Sequence, residues 1–203
     1  MGAAIVTWED CLAGDSDVAR LRRGDVDALA ELISRYQNRL YRYLLRLVRE
    51  PATAEDLFQQ TWLKVAEKIR GFDPARNFDA WLFTLARNLA IDHLRRIRPE
   101  SLDEPTSDEP GAATAGDRLV AATPAAFEKV FERERASRVG AALLELPVIY
   151  REVLALRFEE EMKIEEIAQV LGAPLSTVKS RLRRSLEQLR QQLESRYPGV
   201  DWQ

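Results

Sequence analysis

Cys11 is the only cysteine and His93 the only histidine in the chain. No internal disulfide can form, and there is no soft-ligand cluster for zinc. No stretch approaches the roughly 20 consecutive apolar residues that a membrane span needs. Residues Met1–Cys11 carry Glu9 and Asp10 where a secretion signal would have a basic stretch before an apolar core. The expectation is a cytoplasmic protein with no membrane insertion of its own. Glycine and threonine are scarce while Leu, Ala, Glu, Arg and Gln abound, a balance that favours helix over strand in every long window. An all-α protein is expected. The acids Glu159–Glu161 and Glu165–Glu166 have no partner base, metal-ligand histidines or glycine-rich phosphate loop beside them in sequence. They read as a solvated helix end and turn rather than as an enzyme's carboxylates. No catalytic, cofactor-binding or metal-binding residue is assigned, and no cofactor is expected.

The net charge is only −3, from 30 bases and 33 acids, which looks wrong for a nucleic-acid binder until the charges are mapped by segment. Between Glu100 and Asp117 stand Glu100, Asp103, Glu104, Asp108, Glu109 and Asp117 with no base among them. Between Ala173 and Arg196 the bases Lys179, Arg181, Arg183, Arg184, Arg190 and Arg196 face only Glu187 and Glu194. Arg95, Arg96 and Arg98 form a second basic cluster. Acidic stretches cancel these surfaces in the sum without covering them in space.

Apolar residues at Leu29, Leu32, Ile33, Tyr36, Leu40, Tyr43, Leu44 and Leu47 keep a three-or-four spacing from about Asp25 to Pro51, the mark of one long amphipathic helix. Thr53 with Asp56 reads as a capping box opening a second helix with Leu57, Thr61, Val65 and Ile69 inward. A third runs from about Asp79 to Arg98 with Leu82, Leu85, Ala86 and Leu89 on one face, and Pro99 stops it. Pro99–Pro124, with four prolines, Gly111, Gly116 and the acidic run, has the composition of a flexible linker. Helical pattern resumes at Ala125–Leu144, breaks at Pro147 and continues to Phe158. The expected architecture is two small helical domains joined by an acidic linker. Its parts are an N-terminal extension (1–19, expected to be disordered), a first domain (20–98), the linker (99–124), a second domain (125–196) and a tail (197–203).

The clearest single feature is Lys163–Leu193. A short helix with Ile164, Ile167, Ala168 and Leu171 inward meets Gly172, a natural left-handed stop, then Pro174 and Ser176, which can cap the next helix. That second helix sets Val178, Leu182, Leu186, Leu189 and Leu193 on one stripe. At about 100° per residue, Thr177, Ser180, Arg184 and Glu187 point away from the stripe, with Arg181 and Arg183 on its flanks and Lys179 beside them. This is a helix-turn-helix. Its outer face suits the DNA major groove, where Arg grips guanine bidentately and flanking bases pair with phosphates. Ser180 and Arg184 are the candidates for base contact. A solvated basic helix in a hairpin has the same pattern; the preceding helix, the glycine stop and the cap favour the DNA reading.

The run Ala54-Glu-Asp-Leu-Phe-Gln-Gln-Thr-Trp-Leu-Lys-Val, followed by Phe78-Asp-Ala-Trp-Leu-Phe-Thr-Leu-Ala-Arg-Asn-Leu-Ala-Ile-Asp-His-Leu-Arg-Arg, resembles region two of the extracytoplasmic-function (ECF) sigma factors. Leu146-Pro-Val-Ile-Tyr-Arg-Glu-Val-Leu-Ala-Leu-Arg-Phe and the helix-turn-helix resemble region four of the same family. The resemblance covers about Arg20–Leu193 apart from the linker. It implies a factor that brings core RNA polymerase to promoter DNA and helps to melt the minus-ten element.

On that resemblance, Asp56, Gln59, Gln60 and Leu63 dock on the clamp helices of the polymerase's largest subunit, and the C-terminal domain on its flap. Gln60 stands where relatives commonly carry an acid. The loop Gly71–Asn77, including Phe72, Arg76 and Asn77, resembles the loop that receives a base flipped from the non-template strand. Unstacking a base costs a few kcal/mol, so stacking partners are needed there. Trp81 joins Phe72 as a candidate for the strand-separating surface, while Phe78 lies on the inner face with Leu82 and His93 packs beside Leu89. Thr84, Arg87, Asn88, Ile91 and Arg95 point opposite the Leu82–Leu85–Leu89 face and form the expected minus-ten surface. Thr177, Lys179, Ser180, Arg181, Arg183 and Arg184 form the expected minus-thirty-five reader. Lys163 replaces the small hydroxyl that often caps the motif's first helix, so that helix is expected to start less sharply. An anti-sigma protein that covers these faces is the implied regulator and would hold the factor at the membrane if it sits there. The competing reading is a conventional helix-turn-helix regulator that occupies an operator without polymerase.

Overall fold

A computed structural model describes residues 17–97 and 138–198. The expectations for the linker Pro99–Pro124, the helix start at Ala125, Cys11, most of the N-terminal extension and most of the tail lie outside the described residues.

The folded part begins earlier than Arg20. In helix α1 (17–22), Val18 and Leu21 are buried, and Asp17 accepts a hydrogen bond from Arg35 at 2.6 Å. Helix α2 (Asp27–Val48) buries Ala28, Leu32, Tyr36, Leu40, Tyr43, Leu44 and Leu47, one stripe at three-to-four spacing. It closes at Arg49, in the left-handed conformation with φ 64°. Helix α3 (Pro51–Lys68) starts two residues before the expected capping box. The Glu50 carboxylate accepts from the backbone N–H groups of Ala52 and Thr53, at 3.2 and 2.7 Å. Pro51 fits the first turn because no partner for its missing N–H is needed there. A single 3₁₀ turn, Ile69–Gly71, follows.

Helix α4 (Phe78–Ile97) is capped by Asn77, whose Oδ1 accepts from the Ala80 N–H at 3.1 Å. It buries Phe78, Ala80, Leu82, Phe83, Ala86, Ala90 and Ile91, while Leu85 and Leu89 are only half-buried. This arc is wider than one stripe. Ile91, expected on the polar face, is buried, and α4 as a whole is covered by α2 and α3 and by the C-terminal half.

That half consists of α5 (138–145), α6 (Val148–Leu154) running into a π-turn (Ala155–Glu159), α7 (Ile164–Leu171) and α8 (Leu175–Arg196). Helix α7 starts sharply after all, because Glu166 takes over the capping and accepts from the Lys163 N–H at 2.7 Å. Gly172 ends it in the left-handed conformation, φ 59°. Pro174 occupies the N-cap of α8, which has no side-chain cap; Ser176 lies inside the first turn. On α8 the buried residues are Val178, Ser185 and Leu193. Leu186, expected inward, is 42% exposed. It lines, with Leu143, Leu154, Phe158 and Leu189, a half-open apolar cleft of about 260 Å³.

One continuous core runs from Val18 through α2, α3 and α4 into Val153, Leu156, Ile167, Val170 and Val178. No helix among the described residues is long and apolar enough to cross a membrane, and no metal-holding group of side chains occurs among them.

Candidate nucleic-acid interface

The two helices of the C-terminal motif are set by Gly172 and Pro174, which turn the chain between α7 and α8. Lys179, Arg183 and Arg184 on α8 are exposed; Thr177, Ser180 and Arg181 are half-buried. Arg183 lies 3.9 Å from Glu187, a loose surface pair that costs little to break. Ser180, expected to stand outermost, is instead drawn in, its hydroxyl donating to the Thr177 carbonyl at 2.9 Å. A hydroxyl satisfied by the preceding turn is the usual state of serine inside a helix. Arg184 keeps the position expected of it.

On α3, Asp56, Gln59, Gln60 and Leu63 are exposed along one face. Leu63 is 64% exposed, beside the Lys64–Glu67 pair on the next turn, at 3.2 Å. Nothing in the fold covers this strip among the described residues.

The loop and α4 differ. Arg76, Asn88 and Arg95 are exposed, and Thr84 and Trp81 half-buried. Phe72, expected to take a flipped base, is only 4% exposed. Its ring packs edge-on against Phe78 at 5.7 Å and tilted on Trp81 at 4.8 Å. Three aromatics so close together form a core cluster under the loop, so Phe72 is not open to stack a base in this arrangement, and Trp81 alone reaches the surface. The Thr84 hydroxyl is occupied by the Ala80 carbonyl at 2.7 Å.

Arg87 and Asn77 are occupied as well, by acids from the other half of the chain. Arg87 Nε donates to Glu152 at 2.7 Å, and the Tyr43 hydroxyl donates to the same oxygen at 3.2 Å. Asn77 Nδ2 donates to Glu166 at 2.7 Å. On α2, Arg39 donates to Asp79 at 3.0 Å and to Glu160 at 2.8 Å, and Arg46 donates to Glu159 at 2.9 Å. Tyr36 donates its hydroxyl to Asp79, which extends this network along α2. Arg151 of α6 reaches the other way. Its guanidinium donates to the Leu47 carbonyl at the end of α2, at 3.0 Å, and to the Leu144 and Leu146 carbonyls, each at 2.9 Å.

Burial raises the Glu152 carboxyl above its ordinary pKa against the pull of Arg87, and raises that of Glu160 against the pull of Arg39. Burial opposes the charge of Arg39, yet Asp79 and Glu160 outweigh it and hold the guanidinium above its usual value. Burial, then the charges of Arg49 and Arg46, lowers Arg151 to about 10. Glu160 is therefore no solvated helix-end acid: its side chain is 1% exposed. These acids were missed as functional candidates. The available signal was a charged pair, Arg151 and Glu152, inside an otherwise apolar helix, where burial punishes an acid unless a cation answers it.

A two-part helical fold with a glycine-stopped helix-turn-helix and an exposed basic helix defines a helix-turn-helix protein of two modules. Comparison with known proteins narrows this. Residues 32–100 match the family Sigma-70 region 2, and residues 136–189 match Sigma-70, region 4. The ECF RNA polymerase sigma factor SigW of Bacillus subtilis is 32% identical over 177 residues, covering 87% of this chain and 94% of that one. The ECF RNA polymerase sigma factor RpoE of Cereibacter sphaeroides is 32% identical, with 83% and 88% covered. Among solved structures, the sigma factor RpoE of Bartonella quintana in complex with the anti-sigma factor NepR is 25% identical. Its TM-score is 0.58, with 81% of this chain and 96% of that one covered. CnrH in complex with the cytosolic domain of CnrY shares the fold, with a TM-score of 0.65 at 24% identity, covering 90% and 98%. The chain belongs to the ECF family of RNA polymerase sigma factors.

Proposed function

We propose that this chain directs core RNA polymerase to specific promoters and helps to open the minus-ten element, with no catalytic chemistry of its own. The observation that carries the reading is the pairing of two open surfaces on one chain: Asp56, Gln59, Gln60 and Leu63 on α3, and Lys179, Arg183 and Arg184 on α8. The first is the clamp-docking strip and the second reads the minus-thirty-five duplex, with Thr177, Ser180 and Arg181 beside it. The minus-ten surface is built from Arg76, Asn77, Trp81, Thr84, Arg87, Asn88 and Arg95, with Phe72 supporting Trp81 from below. The domains would be residues 17–98, with α1 included, and 125–196, acting in the cytoplasm. A protein anti-sigma factor is the regulator this reading implies, supported by the complex of the Bartonella quintana relative with NepR.

Each DNA module alone should bind weakly. Fixed on polymerase, the two gain effective concentration for one another. The test is transcription in vitro with core polymerase on a genomic library, mapping start sites. Shared upstream elements at two fixed distances are the expected result. A pure chain that binds promoter duplex tightly yet fails to bind core polymerase would instead be an operator-binding regulator.

A further inference from the structure

Three elements of the C-terminal half leave a cleft between them. Val139 and Leu143 of α5, Leu154 of α6, Phe158 of the π-turn and Leu186 and Leu189 of α8 line its half-open volume of about 260 Å³. Phe158 is 60% and Leu186 42% exposed. Two large apolar side chains left to water at one concave site mark a surface that gains by being covered.

The chain itself leads back to this cleft. Helix α8 stops at Arg196, and Pro198, which cannot continue a helix, follows Tyr197. The end of α8 is pinned against α5 by two contacts. Arg196 donates to Glu145, and the Arg138 guanidinium stands over the Tyr197 ring at 4.8 Å. Arg138 is the immediate neighbour of Val139 in the cleft wall, so the described chain ends beside the cleft.

Length and composition fit a return. Going back from Tyr197 to Leu189 takes eight residues of α8, about 12 Å at about 1.5 Å per residue. Going forward from Tyr197 to Trp202 takes five residues, about 16 Å at about 3.3 Å each when extended. Gly199 permits the reversal of direction, and in an extended segment Val200 and Trp202 fall on the same side. A buried indole N–H needs an acceptor. Glu159, at the cleft edge and bound to Arg46 through one carboxylate oxygen, offers one.

We propose that the segment after Pro198 folds back along α8 and that Trp202 fills this cleft, bridging α5, the π-turn and α8. Any apolar occupant of the same walls then competes with the chain's own tail.

The test uses the full chain labelled with 5-fluorotryptophan, whose four tryptophans give separate fluorine resonances; Trp202→Phe assigns the one at issue. In the wild type that resonance should be protected from broadening by a soluble nitroxide. Leu186→Asp, which places a charge on the cleft wall, should expose it. A Trp202 resonance as accessible in the wild type as in Leu186→Asp overturns the proposal. The second measurement is binding of the apolar dye 8-anilinonaphthalene-1-sulfonate. Trp202→Ala should bind it about tenfold more tightly than the wild type, the equivalent of about 1.4 kcal/mol of competing burial. Adding Leu186→Asp to Trp202→Ala should abolish that gain. Dye binding unmoved by Trp202→Ala, or a gain that survives Leu186→Asp, overturns the proposal. Protection of Trp202 that disappears on dilution, together with a dimer in sedimentation, would put a second copy in the cleft and overturns it too. Circular dichroism checks that each variant keeps its helices. If Leu186→Asp loses them, dye binding to Trp202→Ala alone decides.

Discussion

Helices α4 and α8 are of similar length, carry the two sets of candidate DNA residues and were legible in the sequence to very different degrees. Along α8 three residues are fully buried, and the bases Lys179, Arg183 and Arg184 stand clear in solvent. Along α4 seven residues are buried, and of its candidates Arg87 is held by Glu152 and Thr84 by its own helix. A helix packed on one side shows most of its outer face in the sequence, although on α8 Ser185 is buried and Leu186 exposed against the expected stripe. A helix packed on two sides does not. Its second contact is made by residues from far along the chain, and polar side chains that look solvated can be the ones buried in ion pairs.

The contrast can be broken or sharpened by mutation. The largest effect is expected at Phe83, fully buried on α4 with its ring edge-on to Tyr43 at 5.0 Å. Phe83→Ala should cost about 3–5 kcal/mol in urea unfolding, the range for a large aromatic removed from a packed core; a loss under about 1 kcal/mol would mean that α4 is not doubly covered. Arg151→Ala comes next. It strands the Leu47, Leu144 and Leu146 carbonyls and should cost about 3 kcal/mol, read by the same unfolding curve.

A smaller effect concerns pH. The Glu160 carboxyl is raised by burial in the native state, so between its ordinary and its raised value the native chain binds more protons there than the unfolded chain does. Its contribution to stability is present below the ordinary carboxyl value of about 4.3 and is lost as pH rises through the raised one. Melting temperature followed across that window should fall for the wild type and flatten in Glu160→Gln. The smallest effects belong to α8. Arg184→Ala should leave stability within about 0.5 kcal/mol of the wild type and core-polymerase binding intact. It should weaken transcription from promoters bearing the upstream element. Loss of both activities would point to a folding defect and end the comparison in which α8 is the open helix.

The α2 stripe from Leu32 to Leu47 emerged as its spacing predicted, and Gly172 stops α7 where a left-handed residue was expected. These are local matters. Periodicity and a positive φ depend on near neighbours, which the sequence displays side by side. The misread features were caps and faces. Glu50 captured the start of α3 from Thr53, and Glu166 that of α7 from Lys163; both are acids whose reach to free N–H groups depends on backbone geometry not visible in residue type. Phe72 passed for a surface aromatic because nothing in sequence shows that the loop folds it back onto Phe78 and Trp81.

The sequence by itself determined that this chain is helical, that it carries a basic helix-turn-helix after a glycine stop, and, through its motifs, which family it joins. Only the tertiary structure decided which charges are free. Arg184 and Arg87 are the same residue type on similar helices, yet one faces water and the other meets Glu152, 65 residues further along the chain. Coulomb attraction acts through space and burial strengthens it, so which acid answers which base is settled by how helices pack rather than by their order.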